Sequence, residues 1–203
     1  METGDITQIK KLLLETAELL FSDSGYSGTS IRDIAKRAGV NVALVNYHFG
    51  SKENLYLTIF KRRFAAYETA LATMDSREGA GKRLDAFLDI YGNFIDSHRN
   101  FHRLLSREIT LLHHSSIKEV ITAGTRKNYE LVKKIIQDGI ASGTFKNVNV
   151  DLVTLNIIAF VPRIFSGSPF ITDIFEWQHS GLQDKEVVSI QLKEYFHSIL
   201  SNR

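Results

Sequence analysis

Apolar residues return every three to four positions along almost the whole chain, the spacing of helices that bury one face. That pattern predicts an all-α protein. Ile9, Leu13, Ala17, Leu20 and Phe21 mark a first helix over about 6–24, and 22–28 reads as a turn overlapping its frayed end. Leu55, Ile59, Phe60, Phe64 and Tyr67 mark a long helix from Lys52 to about Met74. The SREGAG run over 76–81 is the best linker or break. Further helices follow over about 82–98, 101–112 and 117–142, the last closed by Gly143 as a C-cap. The stretch 151–166 is apolar nearly all round, a loop with Gly167, Pro169 and Gly181 comes next, and an amphipathic helix over 187–200 ends the pattern.

One interval departs from this long-helix rhythm. Between Thr29 and Lys52, Ile31, Ile34, Ala35 and Ala38 describe a short helix, and Gly39 breaks it where a turn needs positive φ or close backbone approach. Val40 packs inside that turn, and Asn41 caps a second short helix with Leu44, Val45 and Phe49 on its buried side. Two short helices around a glycine turn form the helix-turn-helix pattern, whose second helix fits the DNA major groove. An ordinary helical hairpin within a bundle has the same spacing.

The side chains after the turn favour DNA. Asn41, Val42, Ala43, Asn46, Tyr47 and His48 make a small and polar surface with few charges, where a solvated helix would more usually carry Lys and Glu. Small residues allow close approach to base edges. Asn pairs bidentately with adenine, and a small apolar group meets a thymine methyl. Asn41, Val42, Ala43 and Asn46 are therefore expected to face bases. Tyr47, His48 and Lys52, with Thr29 or Ser30 at the preceding helix start, are expected to hold phosphates.

The run from Thr29 to Leu55 closely resembles the DNA-binding domain of the TetR family of bacterial transcriptional regulators. The matching elements are Thr-Ser before the helix, Ile-Ala-Lys-Arg-Ala-Gly-Val across the turn and Tyr-His-Phe-Gly-Ser-Lys-Glu-Asn-Leu after it. Ala17, Leu20, Phe21 and Gly25-Tyr26 precede them in the family's order. Several regulators of the family carry a Lys or other polar residue in place of Val42, and many a Tyr in place of Asn46. Both departures are groove-facing, so no relative's operator sequence carries over. The resemblance implies a three-helix DNA-binding domain, here 1–51, and a larger helical effector-binding and dimerisation domain, here 52–203. It also implies that effector binding shifts the spacing or orientation of paired DNA-binding domains, releasing a repressor from its operator.

Composition narrows the rest. A chain of 203 residues suits one or two domains, and its two prolines, Pro162 and Pro169, permit long helices. With no cysteine, disulfides, thiolate chemistry and Cys-based zinc sites are excluded. The METGDITQIKK start lacks an apolar signal core and no apolar run spans a membrane, so the expected location is cytoplasmic. A net charge of +2 is uninformative by itself. A local basic face is what matters, and Lys10, Lys11, Arg32, Lys36, Arg37 and Lys52 could supply one or be solvated helix faces.

The apolar 151–166 helix must be buried on several sides. With a second stripe of Val188, Leu192, Tyr195, Phe196 and Ile199, two copies would build a four-helix homodimer interface, the alternative being a deep monomer core. A dimer places two recognition helices on a two-fold axis and so requires an inverted-repeat operator. Tyr67, Tyr91, Phe94, Phe101, Ile109, Tyr129, Phe160 and Phe165 are candidate lining for a hydrophobic or aromatic effector, or plain core. Arg107 and Arg163 are candidate anion holders there. Glu108 is one possible partner for Arg163, and an exposed helix-end Arg163 is the alternative.

Two readings from other classes compete. His98 and His102 stand four apart, near His113 and His114, a spacing that can hold a metal; a helix break at Asn100 would destroy it, and no further ligand motif accompanies them. No phosphate loop or nucleophile elbow is present, so neither an enzyme nor a cofactor is expected. The remaining alternative is a helical protein-interaction module that does not bind DNA.

Overall fold

The computed structural model describes residues 3–111, 115–166 and 184–201, and among these every regular element is a helix. In chain order they are α1 (Thr3–Ser24), α2 (Ile31–Ala38), α3 (Val42–Phe49), α4 (Lys52–Leu71), α5 (Ala80–Ser97), α6 (Arg99–Leu111), α7 (Ser115–Ala141), α8 (Val150–Phe165) and α9 (Lys185–Leu200). The expected loop residues Gly167, Pro169 and Gly181 lie outside the described residues, as do His113 and His114. No helix among the described residues is long and apolar enough to cross a membrane.

Local chemistry sets the helix ends. Ser30 caps α2 in a reciprocal box: its hydroxyl accepts from the Asp33 N–H, and the Asp33 carboxylate accepts from the Ser30 N–H. Gly39, at φ 69°, closes α2. A Cβ there would meet nothing within 4 Å, so the requirement is the backbone conformation itself. The α5–α6 break falls at His98, the C-cap of α5, and Asn100 sits in the first turn of α6, accepting from Arg103. His98 and His102 are therefore on different helices. They form no i, i+4 pair on one helix face, and no group of three potential metal ligands occurs among the described residues.

The chain packs as two compact units, one of residues 1–66 with 100–122 and the other of 67–99 with 123–203. The first is centred on α1 and α4. Leu13, Phe21, Ile34, Val45, Leu55 and Phe60 are fully buried in it, each at the inward position of its helical repeat. A bidentate Arg63–Glu18 pair at 2.7 and 2.9 Å ties α4 to α1 with both side chains largely buried. Compactness divides the chain within α4, because Tyr56 and Phe60 pack on Phe21 and Phe101 while Tyr67 packs on Tyr91 and Phe94.

In the second unit α8 buries Val153, Ile157, Val161 and Phe165 on one side. Pro162 lacks an N–H, so the Ile158 carbonyl loses its helical donor; the Tyr91 hydroxyl donates to it instead, at 3.4 Å. The turn after α7 is as tight as the sequence suggests. Gly143 adopts φ 73°, and the Phe145 N–H donates to the Gly139 carbonyl at 2.9 Å. That turn lays the Phe145 ring on Gly139, where a Cβ would fall 2.0 Å from Cδ2. Gly139→Ala is expected to cost about 1–3 kcal/mol despite alanine's better helix propensity. Urea unfolding at the parental midpoint would contradict this packing.

Candidate nucleic-acid interface

The surface begins with a lock behind it. Thr29 is only 3% exposed, and its hydroxyl lies 2.9 Å from the Gly25 carbonyl and 3.1 Å from the Leu20 carbonyl, pinning the end of α1 to the start of α2. Of the expected Thr29-or-Ser30 pair, Thr29 thus has its one proton engaged inside the fold. Ser30 beside it is exposed, although its hydroxyl already donates to Asp33.

On α3, Val45 and Phe49 point into the first unit and the other face points out. Asn41, Ala43, Asn46 and Tyr47 are exposed, the last to 78%, while Val42 and His48 are half-buried. Asn41 is committed in part: its Oδ1 accepts the Ala43 N–H at 2.8 Å and caps the helix. The Tyr47 and His48 rings meet edge to face at 5.2 Å. Arg32, Lys36 and Arg37 are exposed on α2, and Lys10 on α1 has its ammonium 5.9 Å from the Phe49 ring.

Lys52 opens α4 one turn beyond this surface. Ser51 caps that helix by accepting the Asn54 N–H. The Lys52 ammonium rests over the Tyr26 ring, 4.2 Å from its centroid. Partial burial pushes its pKa below the usual lysine range. The same burial raises the Tyr26 phenol, helped by the charge of Glu53. The arrangement is a neutral, small-residue helix face with a held cation beside it, which suits base edges flanked by phosphate.

The expected effector set does not stay together. Tyr67, Tyr91 and Phe94 pack in the second unit, with centroids 4.9 Å (Tyr67–Phe94) and 5.7 Å (Tyr67–Tyr91) apart. Phe165 joins that unit against Gly92, where a Cβ would lie 2.6 Å from its ring. Tyr67 donates to Asn128 at 3.1 Å, and burial holds both tyrosine phenols well above their usual pKa, so they remain neutral donors. Thr154, missed by the sequence reading, is fully buried here with a hydroxyl lacking a hydrogen-bond partner among the described residues.

The other candidates lie apart from these, and several take the alternatives the sequence left open, Phe101 as plain core and Arg163 as an exposed Arg at the end of its helix. Phe101 belongs to the first unit, packed on Phe60 and Phe64. Ile109, Phe160, Arg107 and Arg163 are exposed. Tyr129 donates to the surface carboxylate of Asp151. Glu108 accepts from Tyr56 and is not the partner of Arg163. An open groove of about 440 Å³ lies elsewhere, along the α5 residues Lys82, Arg83 and Ile90. Its charges are internally paired, Lys82 with Glu78 and Arg83 with Asp138.

The expected dimer stripe is also redistributed. Val188, Leu192 and Phe196 are buried in their own chain, and Tyr195 is exposed. Leu152, Leu155 and Phe160 of α8 and Ile190 of α9 are exposed, and Phe160 meets Tyr195 at 6.2 Å.

Comparison with known proteins agrees with this geometry. Residues 13–59 match the family described as bacterial regulatory proteins, tetR family, and residues 77–165 match a tetracyclin repressor-like C-terminal domain. The "Probable HTH-type transcriptional regulator YttP" of Bacillus subtilis is 31% identical over 134 residues, 64% of either chain. The HTH-type transcriptional repressor NicS of Pseudomonas putida is 28% identical over 142 residues, 66% of this chain and 65% of NicS. The matched stretches thus span just under two thirds of both relatives. The crystal structure of a linker-substituted HlyIIR mutant superposes with a TM-score of 0.73 at 27% identity, covering 98% of each chain. The match over 13–59 overturns the alternative of a hairpin that serves protein interaction without DNA.

Thr29→Val keeps the shape and deletes the locking proton. It is expected to cost about 1–3 kcal/mol in urea unfolding and to leave the salt dependence of DNA binding unchanged. A shallower salt dependence in this variant would restore Thr29 as a phosphate ligand.

Proposed function

The chain belongs to the TetR family of bacterial transcriptional regulators, and from that premise we propose that it is a ligand-released repressor that reads an inverted-repeat operator as a homodimer. The observation that carries this reading is the division of α3 into a buried Val45/Phe49 edge and an exposed Asn41/Ala43/Asn46/Tyr47 face. Asn41, Val42, Ala43 and Asn46 meet bases. Tyr47, His48, Ser30 and Lys52 hold the backbone on either side. NicS, named as a repressor, supports the sign of regulation. The DNA-reading function is assigned to 1–51, and effector binding and dimerisation to 52–203.

Dimerisation is assigned to the apolar surface of α8 and α9, where Leu152, Leu155, Phe160, Ile190 and Tyr195 are exposed in the single chain. Large apolar side chains gathered in this way gain by meeting a second copy. The effector, an apolar or aromatic small molecule, is assigned to the second unit beside Tyr67, Tyr91, Phe94 and Phe165. Tyrosine hydroxyls, Asn128 and Thr154 supply its few polar contacts. Effector binding shifts the population from operator-competent to operator-incompetent dimers.

Selection of bound sequences from a random duplex pool at near-physiological salt tests the whole reading. Enrichment of an inverted repeat is expected; no enrichment by folded, ligand-free protein would refute it. Lys52→Ala should weaken binding to every sequence and reduce the slope of log K against log salt by about 0.9, one phosphate contact. Asn46→Ala should instead relax discrimination at one base pair by about 1–3 kcal/mol. Equal losses on operator and random DNA would exclude base reading by Asn46. Leu155→Glu should yield monomers in sedimentation analysis, and an unchanged dimer would remove α8 from the interface.

A further inference from the structure

Glu108 is 5% exposed, on the face of α6 that also buries Phe101, Leu104 and Leu105. A carboxyl there adds nothing to packing that an apolar side chain would not. What it adds is an acceptor. Its Oε1 receives the Tyr56 hydroxyl at 2.7 Å, and its Oε2 has no hydrogen-bond partner among the described residues. The group is thus aimed at one target on α4.

Tyr56 stands four residues after Lys52, on the same face of α4. Its ring lies 4.8 Å from Tyr26 and 4.8 Å, edge-on, from Phe21. The Tyr26 ring in turn lies beneath the Lys52 ammonium. The three contacts form one line: carboxyl on α6, phenol on α4, ring in the α1–α2 turn, cation at the start of α4. Two more α6 side chains brace the end of α1 and the turn that follows it. Arg103 donates to Asp23 at 2.9 Å, and the Arg107 guanidinium lies so close to Gly25 that a Cβ would fall 2.9 Å from Nη1.

We propose that Glu108 is a positioning residue for DNA binding, which fixes Lys52 through the Tyr56 hydroxyl and the Tyr26 ring. This rests on the reading of Lys52 as a phosphate ligand. A lysine has four rotatable side-chain bonds, and ordering them on the phosphate opposes binding. Held over a ring whose place is set by an anchored neighbour, the ammonium is ordered before DNA arrives. Its three N–H donors leave it able to face the ring and a phosphate oxygen together. The phosphate grip is in this way set from α6, outside the three helices of the DNA-binding motif.

The test uses the full-length protein and two readouts. The first, without DNA, is the NMR shift of the Lys52 ε-methylene, which the Tyr26 ring current displaces; Tyr26→Leu gives its undisplaced position. The second is affinity for a random-sequence duplex, measured in the parent and in a Lys52→Ala background. Tyr56→Phe keeps the ring and deletes the anchor. It is expected to move the Lys52 signal toward the Tyr26→Leu position and to weaken binding about fivefold in the parent, with little change when Lys52→Ala is already present. Glu108→Gln retains an acceptor oxygen and should preserve both readouts. Should Tyr56→Phe fail to fold, Glu108→Met deletes the acceptor from the other side.

An unmoved Lys52 signal, or equal weakening in both backgrounds, overturns the proposal, because a merely structural role predicts that result. If Lys52→Ala alone leaves the salt slope unchanged, the phosphate reading of Lys52 falls and the proposal falls with it. If that slope drops by about 0.9 and Tyr56→Phe has no Lys52-dependent effect, only the positioning role is lost.

Discussion

Helices of eight residues are too short to hold themselves together in water, and α2 and α3 are both that length. Everything the first unit does with DNA depends on keeping them folded and aimed. The means are distributed over the neighbouring chain. Ile34, Ala35, Val45 and Phe49 bury the inner faces, Ser30 and Asn41 cap the starts, and Gly39 sets the turn. Thr29 fastens the start of α2 to the carbonyls that end α1. With the inward side chains committed to packing, the outward face of α3 beyond its Asn41 cap is free to carry small and polar groups.

The same division of labour explains why an aromatic cluster sits behind the motif. Phe21, Tyr26, Tyr56 and Phe60 fill the space where α1, its following turn and α4 meet. Two of these are tyrosines, and each uses its polar or π character as well as its bulk. Tyr26 offers a face to Lys52, and Tyr56 sends its hydroxyl to α6. In the second unit the buried polar groups of Tyr67, Tyr91, Asn128 and Thr154 occupy a largely apolar core, where polar atoms are expensive without a purpose or a partner. Tyr67 finds its partner in Asn128 and Tyr91 in the Ile158 carbonyl.

The helix-turn-helix was legible because its signals are local. A cap, a glycine and a three-to-four residue repeat act within a few positions of one another, and Asn41, Gly39 and Ser51 stand in the structure where their chemistry requires. The commitment of the Thr29 hydroxyl was illegible for the opposite reason. A threonine before a helix looks like an exposed cap, and only the return of the end of α1 shows that its hydroxyl is spent on Leu20 and Gly25. Phe101 and Phe160 likewise belong to equally regular helical stripes. Yet one lies in the core of the first unit and the other on the surface of the second, which a repeat along one helix cannot reveal.

Sequence by itself therefore determined the all-helical class, the position of the DNA-reading motif and the family, since periodicity, caps and turns are short-range properties of the chain. Tertiary structure alone decided which apolar faces remain uncovered on α8 and α9, which aromatic residues share a core, and that Glu108 answers Tyr56 from 52 residues away. These depend on which surfaces long-range packing brings together. A residue's spacing announces that one side of its helix will be buried, but only the packing partner decides against what.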